Sequence, residues 1–190
     1  MVIDHKHKYV FVCIAKTAST SIKRRLGFHD DPPPDEYHMF LKDIIHKNPE
    51  TRSYFKFAFV RNPYDRLYST YINLKHDGHS WATALKQKKT FKSFVMDFEG
   101  SRYSDYIHLQ PQVDYITRDN AIGVDFLGRY ENLASDFAKV EKKLNLSHVP
   151  LKKLRWSSTV WSDPKYYDED MKKVVHRVYG EDFERFQYDK

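Results

Sequence analysis

The chain contains short apolar segments that are rich in aromatic and β-branched residues and do not alternate strictly with polar ones. The two clearest cover residues 9–14 (YVFVCI) and 54–60 (YFKFAFV). Such runs are typical of parallel strands that are buried on both faces of a sheet. A shorter run at residues 124–127 (VDFL) predicts a third strand.

Helical patterns follow these predicted strands. Residues 63–74 and 132–144 each have an apolar stripe at helical spacing, and shorter or weaker patterns cover residues 22–26, 81–98 and 168–179. Strands that alternate with helices favour a parallel sheet. We therefore predict a three-layer α/β fold with a mainly parallel sheet of about four or five strands and helices on both faces.

Polar residues follow the first predicted strand. Lys16 supplies an ammonium group, and Thr17, Ser19, Thr20 and Ser21 supply hydroxyls that can donate hydrogen bonds without adding charge. A helix N-terminus presents unpaired N–H groups and a partial positive charge, so this turn is suited to binding an anion. The structural alternative is a helix start that Ser and Thr merely cap.

A second cation follows the second predicted strand. Asn62 is a favoured N-cap and Pro63 a favoured first helical residue, so a helix is expected to begin directly after Arg61. Arg61 is then expected at the carboxyl edge of the sheet, where open α/β proteins bind ligands. An ion pair with an internal carboxylate is the alternative for Arg61.

The two segments resemble those of sulfotransferases that use 3′-phosphoadenosine-5′-phosphosulfate (PAPS), in particular the branch of Golgi carbohydrate sulfotransferases and their short bacterial and viral relatives. Residues 14–21 (IAKTASTS) are similar to the family's Pro-Lys-Thr-Gly/Ala-Ser/Thr-Thr-Ser loop, with Ala15 in place of the usual proline. Residues 59–69 (FVRNPYDRLYS) match its Phe-Val-Arg-Asp/Asn-Pro-x-x-Arg-Leu-x-Ser segment. Residues 125–133 and 179–188 extend the likeness over nearly the whole chain.

The resemblance implies a P-loop-like sulfotransferase fold with a PAPS site. The first loop would bind the 5′-phosphosulfate, and Arg61 and Ser69 would bind the 3′-phosphate. The family also has a mobile loop that folds over PAPS near residues 154–163. Cosubstrate contacts are therefore expected from Lys16, Thr17, Ala18, Ser19, Thr20, Ser21, Arg61, Ser69, Arg129, Trp156 and Ser157.

Two residues are expected to catalyse the transfer. Lys16 can stabilise the charge that builds on the oxygen of the departing phosphate. A histidine is the natural base for the attacking hydroxyl. Of ten histidines, His38 is the one that matches the family's histidine, at the start of a predicted helix over residues 39–45. His108 and a substrate-assisted route are the alternatives.

Composition agrees with this interpretation. A length of 190 residues predicts a single domain, 1–190, and the net charge of +6 suits an anionic cosubstrate. A basic stretch either faces solvent or borders an acceptor cleft that favours an anionic glycan; it contains Lys86, Lys88, Lys89 and Lys92.

Cysteine content and hydropathy indicate which covalent links, metal sites and membrane segments are to be expected. Cys13 is the one cysteine, so no disulfide within the chain is possible, and it is expected in the core. No metal is required, because Lys16, Arg61 and helix N-termini supply positive charge. No apolar run of about 18 residues is present. We therefore expect a cytoplasmic protein with no membrane partner, the alternative being an excised Golgi luminal domain.

The expected function is transfer of a sulfuryl group from PAPS to an acceptor hydroxyl, which leaves 3′-phosphoadenosine-5′-phosphate (PAP). Carbohydrate is the expected acceptor by analogy. A P-loop-like nucleotide-dependent kinase shares the Lys-Thr pair but needs glycines before Lys16. A nucleic-acid-binding module would fit the charge, but basic residues alternate with acids and no reader motif is present, so no nucleic-acid partner is expected. The oligomeric state is left open.

Overall fold

The structure is a computed structural model that describes residues 1–30, 34–76, 90–97, 106–151 and 166–189. The described residues divide between two compact units. The first contains those up to residue 61 and those from 112 to 151, and the second contains those from 62 to 111 and from 166 to 189. The single domain expected over 1–190 stays a prediction.

The first unit is built on a mostly parallel sheet. Its strands within the described residues are β1 (Val2–Asp4), β2 (Tyr9–Val12), β3 (Phe55–Val60), β4 (Thr117–Arg118), β5 (Ala121–Ile122) and β6 (Phe126–Arg129). The main sheet has the order β1-β2-β3-β6; β2, β3 and β6 are parallel and β1 is antiparallel to β2. The predicted α/β fold with a mainly parallel sheet is therefore confirmed.

The short strands β1, β4 and β5 could not be predicted from the pattern of apolar and polar residues. β1 has three residues, and β4 and β5 form a separate two-stranded hairpin of two residues each. Strands this short contain too few positions to show a period of two. The predicted third strand, 124–127, is displaced in the structure by two residues, and the first strand ends at Val12 rather than at residue 14.

Eight α-helices accompany these strands within the described residues. They are α1 (Ser19–Arg25), α2 (Pro34–Tyr37), α3 (Leu41–Lys47), α4 (Pro63–His76), α5 (Phe91–Met96), α6 (Gln112–Ile116), α7 (Leu133–Lys143) and α8 (Glu169–Phe186), with 3₁₀ helices at Pro49–Ser53, Ile107–Leu109 and Tyr130–Asn132. Helices α4, α5 and α8 belong to the second unit. None of the described helices is long and apolar enough to cross a membrane.

Two predicted helix boundaries are confirmed, but not every predicted helix start is. The helix predicted over 22–26 begins earlier, at Ser19. Gly27 has φ +88° and follows α1, as expected of a glycine that ends a helix. Asn62 accepts a hydrogen bond from the backbone N–H of Tyr64 (2.9 Å), so it caps α4 as predicted. The helix predicted over 39–45 instead begins at Leu41, with Phe40 as its N-cap. His38 therefore lies in the turn between α2 and α3.

Aromatic side chains form the core of the first unit. Tyr9 and Phe11 of β2 lie on the same face of the sheet as Phe57 and Phe59 of β3. The rings of Phe11 and Phe57 stack with their centroids 4.9 Å apart. Helices α1 and α7 cover this face with apolar side chains that include Ile22, Phe137 and Val140. All four residues of β2 are buried, as predicted for an internal strand.

The second unit packs α4, α5 and α8 around a separate apolar core. Arg66 of α4 is fully buried there, donates to the backbone oxygens of His108 (3.1 Å) and Gln110 (2.6 Å), and lies over the ring of Tyr179. Arg66 therefore has a structural role, since it ties the segment around residues 108–110 to α4. The helix predicted over 168–179 continues to Phe186, with non-helical backbone angles at Tyr179.

Gly128 sets the approach of β6 to β3. It lies opposite Phe59 in the parallel register, and a Cβ atom placed on it would be 2.3 Å from Cε1 of the Phe59 ring. The ring therefore lies directly against the Gly128 backbone. Arg129, the next residue, stands beside Val60 at the carboxyl edge of the sheet.

We expect Gly128→Ala to destabilise the protein by about 3 kcal/mol, the upper end of the range for overpacking, because backbone and aromatic ring must both move. Thermal unfolding measures the change. Gly180→Ala is the matched control, because a Cβ there meets none of the described atoms within 4 Å and alanine is favoured in a helix by about 1 kcal/mol. Equal stability of Gly128→Ala and the wild type would contradict this account of the β3 and β6 contact.

Candidate functional site

The turn between β2 and α1 has an unusual backbone. Lys16 has φ +68° and Ala18 has φ +67°, in the left-handed region that side chains other than glycine rarely adopt. Each such residue costs of order 1 kcal/mol or more, and this strain concentrates at binding sites. Turns that contain left-handed residues direct successive N–H groups into one concavity, which is the geometry of an anion-binding nest.

Two hydroxyls of the turn hold it in this conformation. Thr17 Oγ1 donates to the backbone oxygen of Ile14 at 3.0 Å, and Ser19 Oγ donates to the same oxygen at 2.7 Å. Both residues are buried. Each hydroxyl has one proton, so these two donate within the turn and not to a ligand. In this structure the hydroxyl protons of Thr17 and Ser19 are engaged by the Ile14 oxygen, and the expected contacts of both residues with a ligand stay predictions.

Arg61 follows β3 directly and is 4% exposed. One terminal nitrogen, Nη1, donates to the backbone oxygen of Lys16 at 3.4 Å, and the guanidinium carbon lies 4.1 Å from the centroid of the Tyr130 ring. Its Nε atom is buried without a hydrogen-bond partner, and no carboxylate among the described residues pairs with it. The internal ion pair considered as the alternative for Arg61 is thus not found there.

Arg129 is the last residue of β6 and stands beside Val60 in the register of β3 and β6. Its backbone N–H donates to Oδ2 of Asp136 at 2.9 Å, and Lys139 donates to the other oxygen of that carboxylate at 2.7 Å. The structure thus places Arg61 and Arg129 at the same edge of the sheet, as the sequence predicts.

His38 is brought to this edge by a backbone contact. Its Nδ1 atom lies 2.7 Å from the backbone oxygen of Cys13, which directly follows β2. A carbonyl oxygen only accepts, so Nδ1 carries the proton and the neutral ring has its basic lone pair on Nε2. The tautomer suited to a general base is therefore the one that the backbone selects.

Cys13 itself is a core residue, as predicted. Its side chain is fully buried, and burial raises the pKa of the thiol, which stays neutral. It contributes to the site through its carbonyl and not through its sulfur.

Sequence reasoning missed three residues that support the site. The hydroxyl of Tyr37 lies 3.3 Å from Thr20 Oγ1. The Tyr37 ring packs edge to face against the ring of the neighbouring His38. Lys23 of α1 is buried, donates to the Asp30 oxygen at 2.9 Å and lies over the Tyr37 ring. Gln112 binds the backbone of Arg61. These roles depend on contacts between segments that are distant along the chain, and no local sequence pattern indicates them.

Two other predicted site residues belong to the second unit. Ser69 lies in the second turn of α4 and His108 in the 3₁₀ helix Ile107–Leu109, both in the second unit. Nδ1 of His108 is 2.8 Å from the Tyr106 hydroxyl. Trp156 and Ser157 lie outside the described residues, as do Lys86, Lys88 and Lys89 of the basic stretch. Lys92, the fourth lysine, pairs with Asp168 at 2.7 Å.

A metal centre was not expected, and the described residues contain no group of three or more His, Cys, Asp or Glu side chains placed to hold a metal ion. Arg61 and Arg129 are two cationic residues that the described strands place at the edge of the sheet.

Comparison with known proteins identifies relatives of this chain. Carbohydrate sulfotransferase 11 of Rattus norvegicus is 33% identical over 176 residues, which covers 72% of this chain and 50% of that protein, and the Mus musculus protein of the same name gives the same values. An uncharacterized protein of Archaeoglobus fulgidus is 34% identical over 96 residues, or 49% of this chain and 69% of that one. This chain thus spans about half the length of the two mammalian relatives.

No solved structure matches the chain significantly. The sequence model described as "Sulfotransferase family" matches residues 1–189, which is nearly the full length and includes both strand-end cations. The chain therefore belongs to the sulfotransferase family.

Proposed function

We propose that this protein transfers the sulfuryl group of PAPS to a hydroxyl of a carbohydrate. The observation that carries the proposal is the Arg61 guanidinium at the sheet edge, a buried cation with an unpaired Nε atom, one hydrogen bond of 3.4 Å and no carboxylate partner among the described residues. Arg66 also has an unpaired Nε atom, but both of its terminal nitrogens donate to backbone oxygens. An uncompensated buried charge costs several kcal/mol. A bound anion would offset that cost, and a phosphate offers oxygens for several N–H groups at once.

The protein is proposed to bind PAPS through both its 5′-phosphosulfate and its 3′-phosphate. The turn with left-handed Lys16 and Ala18 would receive the 5′-phosphosulfate on its backbone N–H groups, with Thr20 and Ser21 as further contacts. Arg61 would receive the 3′-phosphate. Contacts from Ser69, Arg129, Trp156 and Ser157 stay predictions.

The proposed reaction is an in-line displacement at sulfur. Nε2 of His38 takes the proton of the acceptor hydroxyl as its oxygen bonds to sulfur, and the bond from sulfur to the phosphate oxygen breaks. Lys16 stabilises the negative charge that builds on that departing oxygen, which leaves with PAP. The hydrogen bond from Nδ1 of His38 to Cys13 supports this role, because it places the ring proton on Nδ1, makes Nε2 the basic nitrogen and stabilises the imidazolium that forms.

Carbohydrate is proposed as the acceptor class because the two mammalian relatives are named carbohydrate sulfotransferases. The net charge of +6 is compatible with an anionic glycan. Since Lys92 is engaged by Asp168, the one described lysine of the basic stretch offers no support for an acceptor cleft there.

Arg61→Ala should weaken PAP binding tenfold or more, because charge-assisted hydrogen bonds contribute about 1.5–3 kcal/mol each. The unliganded variant should unfold at the same temperature as the wild type or higher, since an unpaired buried charge is removed. Titration calorimetry and thermal unfolding measure the two effects. Arg52→Ala, an exposed arginine before β3, is the control and should leave PAP affinity unchanged. Unaltered affinity in Arg61→Ala would remove the main support for PAPS as donor.

Replacement of His38 and replacement of Lys16 should impair sulfuryl transfer in different ways. His38→Ala should keep its affinity for PAPS and lose about 10²–10⁴-fold in turnover, the usual contribution of a general base. Lys16→Ala should lose both affinity and turnover, because its charge also contacts the ground state. A nitrophenol acceptor, whose hydroxyl is already acidic, should partly rescue His38→Ala and not Lys16→Ala.

The control for this comparison is His108→Ala, which should retain turnover. If His108→Ala shows the loss and the nitrophenol rescue while His38→Ala does not, the base is His108. The fall in wild-type turnover at acid pH should disappear in whichever variant lacks the base.

Turnover should persist in excess EDTA, because protein cations meet the charge of the leaving phosphate. A sulfate-transfer assay with labelled PAPS, with and without chelator, measures this. Activity that EDTA abolishes and Mg²⁺ restores would favour the kinase-like alternative.

A further inference from the structure

Gln112 makes an unusual pair of contacts with the residue that the proposed function places on the 3′-phosphate. Its Oε1 atom accepts the backbone N–H of Arg61 at 2.9 Å, and its Nε2 atom donates to the backbone oxygen of Arg61 at 2.8 Å. Gln112 is fully buried, and so is the Arg61 backbone. One side-chain amide thus binds both polar groups of a single residue.

This pairing occurs where the sheet stops. The ladder between β2 and β3 ends at Ala58, and the ladder between β3 and β6 ends at Val60. Arg61 is the next residue, so neither ladder supplies partners for its backbone. Gln112 takes the place of a neighbouring strand, because two residues that exchange N–H and C=O bonds are the unit of an antiparallel ladder.

The position of a strand-end backbone controls the position of its side chain. A small rotation at Arg61 would displace the guanidinium at the end of a long side chain, and displacements near 1 Å reduce binding and catalysis severely. The guanidinium has only the Tyr130 ring and the Lys16 oxygen as described contacts. Holding the backbone is therefore the principal way in which the fold orients this cation.

The Gln112 side chain is a neutral amide, and its lack of charge also matters. At the neighbouring strand end a carboxylate, Asp136, accepts the backbone N–H of Arg129, and Lys139 balances its charge. A carboxylate at position 112 would instead lie beside Arg61 and compete with an incoming phosphate. A neutral amide satisfies both backbone groups and leaves the positive charge of Arg61 for an anion.

We infer that Gln112 is a positioning residue that holds Arg61 in place for a phosphate of the ligand without neutralising it. The inference rests on the proposed function, since it takes the 3′-phosphate of PAP as the group that Arg61 binds. It differs from a purely structural role, in which Gln112 would stabilise the fold and affect all ligands equally.

The test compares the affinities for PAP and for adenosine 5′-phosphate, which lacks the 3′-phosphate, by titration calorimetry. Gln112→Met keeps the volume of the side chain and removes both hydrogen bonds. It should reduce the preference for PAP about tenfold, which corresponds to about 1.4 kcal/mol, and leave the affinity for adenosine 5′-phosphate nearly unchanged. In the Arg61→Ala background, Gln112→Met should reduce the preference no further, because the two residues act as one unit.

Thr51→Val is the matched control. Thr51 is fully buried in the same unit and donates to the Asn48 oxygen at 2.6 Å, at the opposite end of β3. This variant should lose stability by a similar mechanism and retain the full preference for PAP. If Gln112→Met does not fold, Gln112→Asn is measured, whose shorter side chain reaches only one of the two backbone groups and should reduce the preference partly.

The outcomes distinguish a failure of the positioning role of Gln112 from a failure of the proposed function. A wild-type protein that binds PAP and adenosine 5′-phosphate equally would overturn the proposed donor and this inference together. A wild-type preference for PAP that persists in full in Gln112→Met or Gln112→Asn, or an equal loss for both ligands, would overturn the positioning role alone.

Discussion

The candidate site centres on Arg61, a buried cation for which the described residues supply no carboxylate. Arg61 is held by its backbone, lies against an aromatic ring and has a buried Nε atom without a partner. Burial of such a charge opposes folding, so the surrounding structure must keep it in place at a cost. Natural proteins retain unfavourable local arrangements mainly where function needs them. The Gln112 amide holds the Arg61 backbone, and the Tyr130 ring lies against its guanidinium.

A second unfavourable arrangement lies beside the first. The turn that contains Lys16 has two left-handed residues, neither of which is glycine. Ala15 stands where the resembling family usually has proline, so the rigidity of the turn must come from elsewhere. The hydrogen bonds of Thr17 and Ser19 to the Ile14 oxygen supply it, because they fix both sides of the turn to the end of β2. Hydroxyl residues in this motif therefore shape the backbone at least as much as they offer donors.

The proposed base is oriented by the same strand end. His38 binds the Cys13 oxygen, and the next carbonyl oxygen, that of Ile14, holds the turn that contains Lys16. Two consecutive backbone carbonyls just after β2, those of Cys13 and Ile14, thus hold two different parts of the candidate site. Backbone carbonyls at strand ends lack ladder partners and accept such bonds readily, which explains why a site forms where the strands stop.

The sequence by itself determined the three parallel strands, the helix starts at Pro63 and after Asn132, and the placement of Lys16 and Arg61 directly after strands. These features follow from local patterns, namely apolar runs, capping residues and motif spacing, which need no knowledge of distant contacts. Only the tertiary structure decided that Gln112 clamps Arg61, that Tyr130 stacks on it and that Cys13 selects the tautomer of His38. Each of these contacts joins segments more than 20 residues apart, and their pairing is set by the packing of the whole first unit. The position of His38 in a turn, and not at a helix start, was decided in the same way, because its hydrogen bond to the Cys13 oxygen joins two segments that lie far apart along the chain.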